Sequence, residues 1–191
     1  MISQKSERIR KLSQKHGYGD VESILNEWNY VSDWYKPLHF LSVIKGLKGA
    51  SFSCAVMCEM QTKSDVDSLM YYDARVEKIW NGLFDSDTLL PIKGYYAFKA
   101  FSELYQMGQS LRIEYNDAQI YACAAKSTNR VAVLLTNYAD EEPSPKQTCI
   151  KLEGVDAKAD RFAKIYTVSE TNNPELLEEC SVVDGGIHLT I

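Results

Sequence analysis

The spacing of apolar residues in this chain changes once, near Gly108, and that change narrows the folds open to it. Before it, apolar side chains recur every three or four positions, as in Leu38, Leu41, Ile44 and Leu47, or Tyr95, Phe98, Phe101, Leu104 and Tyr105. That spacing places them on one face of a helix. From Ser110 onward the period is two: Leu111-Arg112-Ile113-Glu114-Tyr115 precedes an Asn116-Asp117 turn. Runs at 119–125, 130–137, 148–152, 162–168 and 187–191 follow. Short alternating runs separated by turn residues predict an antiparallel β-sandwich. The expected division is therefore 1–108 as one unit and 109–191 as a second.

The first unit is not purely helical. A charged segment, 3–16, has Ile9 and Leu12 at helical spacing and meets Gly17 where a helix would stop. An apolar run, Glu22 to Glu27, then reads as a buried strand. Pro37 suits a first helical turn, and the small residues Gly49, Ala50, Ser51, Ser53, Cys54 and Ala55 suit close packing on a sheet. A strand over 51–57 is the rival reading of that stretch. Asp67 to Asp73 reads as a second strand, and the helix through Phe98 and Phe101 follows. Helix, strand, helix, strand, helix is the alternation of a parallel sheet or barrel. The combined expectation is α/β plus β: about two βα units of a (β/α)8 barrel, then the sandwich.

Charge and cysteine usage exclude several functions. The 191 residues carry a net charge of -5 with no basic cluster, which argues against a nucleic-acid partner. No apolar run is long enough to span a membrane, and the first residues lack the apolar core of a signal peptide, so a cytoplasmic location is expected. The cysteines, Cys54, Cys58, Cys123, Cys149 and Cys180, are odd in number and form no CxxC, and in sequence no histidine lies near them. Neither a zinc site nor a disulfide framework is expected. His16, His39 and His188 are scattered, so a Ser-His-Asp or Cys-His arrangement is not expected either. No metal or cofactor is predicted.

Two carboxylates stand out because each ends a predicted strand. Glu27 lies in Asn26-Glu27-Trp28-Asn29, flanked by two amides and a large ring; Asp73 follows Tyr71-Tyr72 and precedes Arg75. Carboxylates at the C-terminal ends of parallel strands are where barrel enzymes place their chemistry. Trp28, Trp34, Tyr35 and Trp80 could offer flat faces to sugar rings. Each reading has a plain counterpart: Glu27 as partner of a nearby cation, Asp73 as a cap or partner for Arg75, and the rings as packing.

With these residues in view, the chain resembles the C-terminal part of a clan-A glycoside hydrolase of the family 39, xylosidase-like group. Asn26-Glu27-Trp28-Asn29 resembles that family's nucleophile strand, and Ser68-Leu69-Met70-Tyr71-Tyr72-Asp73-Ala74 its eighth strand. Asn81-Gly82-Leu83-Phe84 with Pro91 to Phe98 resembles its closing loop and helix. The resemblance implies Glu27 as a catalytic nucleophile, with Asn26, Trp28, Asn29, Tyr72, Asp73 and Trp80 around the substrate, a carbohydrate. It also implies an acid/base glutamate on an earlier strand that these residues do not contain, so a second chain completing the barrel is one expectation. The alternative is a non-catalytic carbohydrate-binding or interaction module.

Overall fold

A computed structural model describes residues 2–31, 35–62, 66–154, 162–182 and 186–191. The elements in order are α1 (Ile2–Lys15), β1 (Ile24–Trp28), α2 (Pro37–Lys45), α3 (Leu47–Thr62), β2 (Ser68–Tyr71) and α4 (Lys93–Gln106). They are followed by β3 (Gln109–Leu111), β4 (Ile120–Lys126), β5 (Val131–Asn137), β6 (Gln147–Lys151), β7 (Phe162–Thr167), β8 (Glu175–Ser181) and β9 (Gly186–Thr190).

The glycine after α1 does what its position suggests. Gly17 has φ +84°, its N–H donates to Gln14 C=O, and the Tyr18 N–H reaches back to Ser13 C=O at 2.8 Å. That pair of bonds closes a helix on a left-handed residue. Arg10 then ties α1 to the strands: its guanidinium donates to the carbonyls of Gly19 and Val21 and to Asp67 at 3.0 Å, and Asp67 also accepts the Ser23 N–H at 2.7 Å. Ile9 and Leu12 have helical spacing, but both face solvent; the residues α1 buries are Ser3 and Ser6.

The stretch read as helix with a strand as rival is two helices, broken at Gly46 in an extended conformation. Every residue of α3 from Ser53 to Met60 is buried. A helix buried all round is a core helix, and α3 serves three layers. Val56, Met57 and Met60 pack on Trp28 with Leu25, Leu69, Tyr71 and Phe98 around them; Ala55 meets Tyr30, Ile44 and Tyr138; Cys54 and Cys58 meet Leu104, Met107, Cys123 and Ala125. The last cluster joins residues from both sides of Gly108. Gly108 ends α4 with φ +89°, and packing continues across it. Two glycines permit the closeness: a Cβ on Gly82 would collide with Tyr71 Oη and lie 2.7 Å from Ile44 Cγ2, and one on Gly49 would meet the Ile44 backbone.

β1 and β2 pair in parallel. The expectation of a buried strand holds for one face only: Trp28 is 5% exposed, whereas Ile24 is 49% and Met70 50% exposed. Parallel strands lose both faces to the interior only when layers cover both, and here α3 and α4 cover one. After Gly108, β3, β4 and β5 form a three-stranded antiparallel sheet, β6 pairs with β9, and β7 pairs with β8. The regular alternation is real, but among the described residues it resolves into three antiparallel groups. β8 has no counterpart in the sequence reading, because Glu-Leu-Leu-Glu-Glu-Cys-Ser does not alternate and is almost entirely exposed.

Candidate functional site

The C-terminal ends of β1 and β2 carry most of the residues singled out in the sequence. A register shift lies between Leu25, opposite Leu69, and Trp28, opposite Tyr71, so that Asn26 and Glu27 together oppose Met70. Strict alternation would turn Leu25 and Trp28 to opposite faces. The extra residue lets both join the core beside α3, and it leaves Asn26 and Glu27 exposed with Met70. A bulge re-aims side chains in this way. Glu27 is thus delivered to the uncovered face near the strand's end.

The other residues are arranged differently from one another. Trp28 stacks with Phe98 at 6.1 Å between ring centroids and meets Tyr71 edge-on at 5.2 Å, so its faces are covered by protein. The sequence offered it as a sugar platform; the bulge commits it to packing. Asn29 is a clamp: its amide donates to Tyr72 C=O at 2.6 Å and to Trp80 C=O at 2.9 Å, and its Oδ1 accepts the Tyr30 N–H. It joins the ends of β1 and β2 to the loop after β2. Trp80 is half-buried against the cluster of Tyr30 and Ile44. Tyr35 is 95% exposed; Trp34 lies outside the described residues.

Asp73 is buried and bonded to Arg75 Nε at 2.8 Å, and Arg75 also donates to Tyr72 Oη at 3.3 Å. The plain reading of Asp73, a partner for Arg75, is what the geometry shows, while its Oδ1 is buried and has no hydrogen bond among the described residues. With its carboxylate turned to Arg75, Asp73 is poorly placed to work beside Glu27.

Two residues that sequence reasoning passed over hold this end together. Asn81 is fully buried; its amide donates to the carbonyls of Val76 and Phe84, and its Oδ1 accepts the N–H groups of Leu83 and Phe84. The Asn-Gly pair was visible as a turn signal, but only the fold shows one side chain satisfying four backbone groups. Tyr71 sits under the same loop. Burial pushes its phenol up to about 12, with a hydrogen bond from Asn29 working against that and the Asp73 carboxylate adding to it. Contrary to the expectation from sequence, one histidine lies beside a cysteine. Strand pairing sets Cys149 directly opposite His188, with Sγ 3.6 Å from Nε2, although 39 residues separate them.

No family model and no curated protein matches the sequence. Solved structures do match. A family 30 glycoside hydrolase endoxylanase from Clostridium papyrosolvens C71 superposes with a TM-score of 0.62 at 11% identity, over 95% of this chain and 42% of its own. A family 30, subfamily 8 xylanase from Clostridium acetobutylicum gives 0.60 at 14%, with the same coverage. A glucosidase from Croceicoccus marinus gives 0.66 at 14%, over 100% of this chain and 48% of that one. The chain therefore shares its fold with part of these glycoside hydrolase and glucosidase structures. The chain spans less than half the length of each of these three structures. These structures are family 30 xylanases and a glucosidase, and they do not single out family 39.

Proposed function

We propose that these residues form the nucleophile-bearing portion of a retaining glycoside hydrolase, with Glu27 forming the glycosyl-enzyme intermediate. The observation that carries this reading is the bulge in β1. It holds Leu25 and Trp28 in the core and presents Asn26-Glu27 together at the C-terminal end of a parallel strand. Glu27 Oε attacks the anomeric carbon, the glycosidic bond breaks, and water later releases the sugar. Asn26, exposed beside it, is positioned to hold a sugar hydroxyl. Asn29, Tyr72 and Trp80 set the shape of the strand ends from behind.

A retaining mechanism needs a second carboxyl group about 5 to 5.5 Å from the nucleophile to protonate the leaving oxygen. Asp73 is committed to Arg75, so the acid/base comes from polypeptide other than the strands described, and these residues alone are expected to hydrolyse little or nothing. The substrate we favour is a β-linked pentoside, in keeping with the two xylanases among the structural matches. The test joins these residues to the strands that complete a barrel and treats the product with a mechanism-based fluoro-xyloside. A covalent label on Glu27, and a fall in kcat/KM of roughly three orders of magnitude in Glu27→Gln, are the expected results. A label on another residue overturns the assignment. The module reading predicts instead that xylo-oligosaccharides bind these residues and that Glu27→Gln leaves binding unchanged.

A further inference from the structure

The exposed face of the β6–β9 pair holds a group that the glycosidase reading does not use. Alternation along β6 turns Gln147, Cys149 and Lys151 outward, and their partners across the ladder are Thr190, His188 and Gly186. Cys149 and His188 are directly opposed, and the sulfur lies 3.6 Å from Nε2, within hydrogen-bond reach of a thiol. The antiparallel ladder fixes both Cβ positions, so this contact belongs to the strand backbone rather than to a loop. Gln147 donates to Thr190 Oγ1 at 2.7 Å, which occupies the polar groups on one side of the pair. On the other side Lys151 faces Gly186. The glycine adds no side chain at that end of the pair, and Cys149 is exposed. The described residues of this face include no carboxylate.

The remaining thiols offer a contrast. Cys54, Cys58 and Cys123 are buried and Cys180 is half-buried, so Cys149 is the exposed thiol among the five. Cys58 and Cys123 sulfurs lie 3.3 Å apart in the core, where the contact with Cys58 and then burial push the Cys123 thiol far up and keep it inert.

We propose that Cys149 is a site of mixed-disulfide formation with low-molecular-weight disulfides of the glutathione type, with His188 as its proton acceptor. The Cys149 proton passes to His188 Nε2, the sulfur attacks one sulfur of the small disulfide, and a new S–S bond forms as the old one breaks. The departing thiolate takes the proton from His188, so one disulfide and one thiol give one mixed disulfide and one small thiol. The small disulfide is the oxidant, and no other is needed.

The test incubates the intact protein with glutathione disulfide at pH 7 and locates the adduct by peptide mass spectrometry over time. The expected result is a first adduct on Cys149, absent in Cys149→Ser. In His188→Ala the rate should fall by about threefold or more, with added imidazole restoring it and circular dichroism unchanged. Recovery by imidazole separates proton transfer from a merely structural role. A first adduct on Cys180, equal rates with and without His188, or a slowing that imidazole does not recover each overturns the proposal.

Discussion

At the scale of single residues, the strand ends are held by amides whose hydrogen-bonding capacity is fully used. Asn81 serves four backbone groups from a site with no exposed surface. Replacing it by alanine leaves two buried N–H groups and two carbonyls without that partner. At about 1–3 kcal/mol for an unsatisfied buried group, Asn81→Ala should lower the urea-unfolding free energy by roughly 3 kcal/mol, read from the midpoint at constant slope. Tyr71 gives a pH signature. Its phenol is held neutral up to about 12 by burial, whereas in the unfolded chain it ionises near the ordinary value of about 10. The folded state therefore keeps a proton that the unfolded state gives up. The stability this confers is complete below about pH 10 and is lost as pH rises through about 12. Burial and the Asp140 carboxylate push Tyr138 in the same direction. Alkaline unfolding monitored by circular dichroism should steepen in that window, and Tyr71→Phe should make it shallower.

At the scale of elements, the decisive features are a helix with no polar face and a strand with one extra residue. Small residues along 49–55 mark a close-packing surface but suit a helix and a strand equally. The buried residues of α3, Ser53 and Glu59 among them, surround the helix, so no single apolar face identifies it. The β1 bulge was equally hidden, because Leu25 and Trp28 stand three apart, a spacing that regular strand alternation assigns to opposite faces. The attachment of α1 is polar. Asp67 is drawn below the ordinary carboxylate range, first by the Ser23 N–H and then by Arg10. With its proton affinity lower folded than unfolded, its contribution is present above the usual carboxylate range and fades as pH falls through the lower folded value. Asp67→Asn should remove that acid-side dependence, and hydrogen exchange in α1 should quicken while exchange in α3 stays slow.

At the scale of the whole molecule, one helix makes two expected units share an interior. Cys54 and Cys58 of α3, Leu104 and Met107 of α4, and Cys123 and Ala125 of β4 form one cluster across Gly108. Calorimetry should therefore show α3, α4 and the β3–β4–β5 sheet melting in a single transition. Two separate transitions, one for 1–108 and one for 109–191, would instead support the boundary that the change in apolar spacing suggests.

Local chemistry in the sequence determined much of this protein. Helix and strand identity followed from periods of three to four and of two, and the helix stop at Gly17 from a residue that tolerates positive φ. The placement of Glu27 and Asp73 near the ends of parallel strands was legible because apolar runs stop there. Tertiary structure decided what those residues face. The partner strand set the bulge that exposes Glu27 and buries Trp28, the loop after β2 turned Asn29 and Asn81 into clamps, and Arg75 claimed Asp73. Pairing of β6 with β9 brought Cys149 to His188. Each of these contacts joins segments through strand register or loop closure, and neither is encoded in the spacing of residues along one segment.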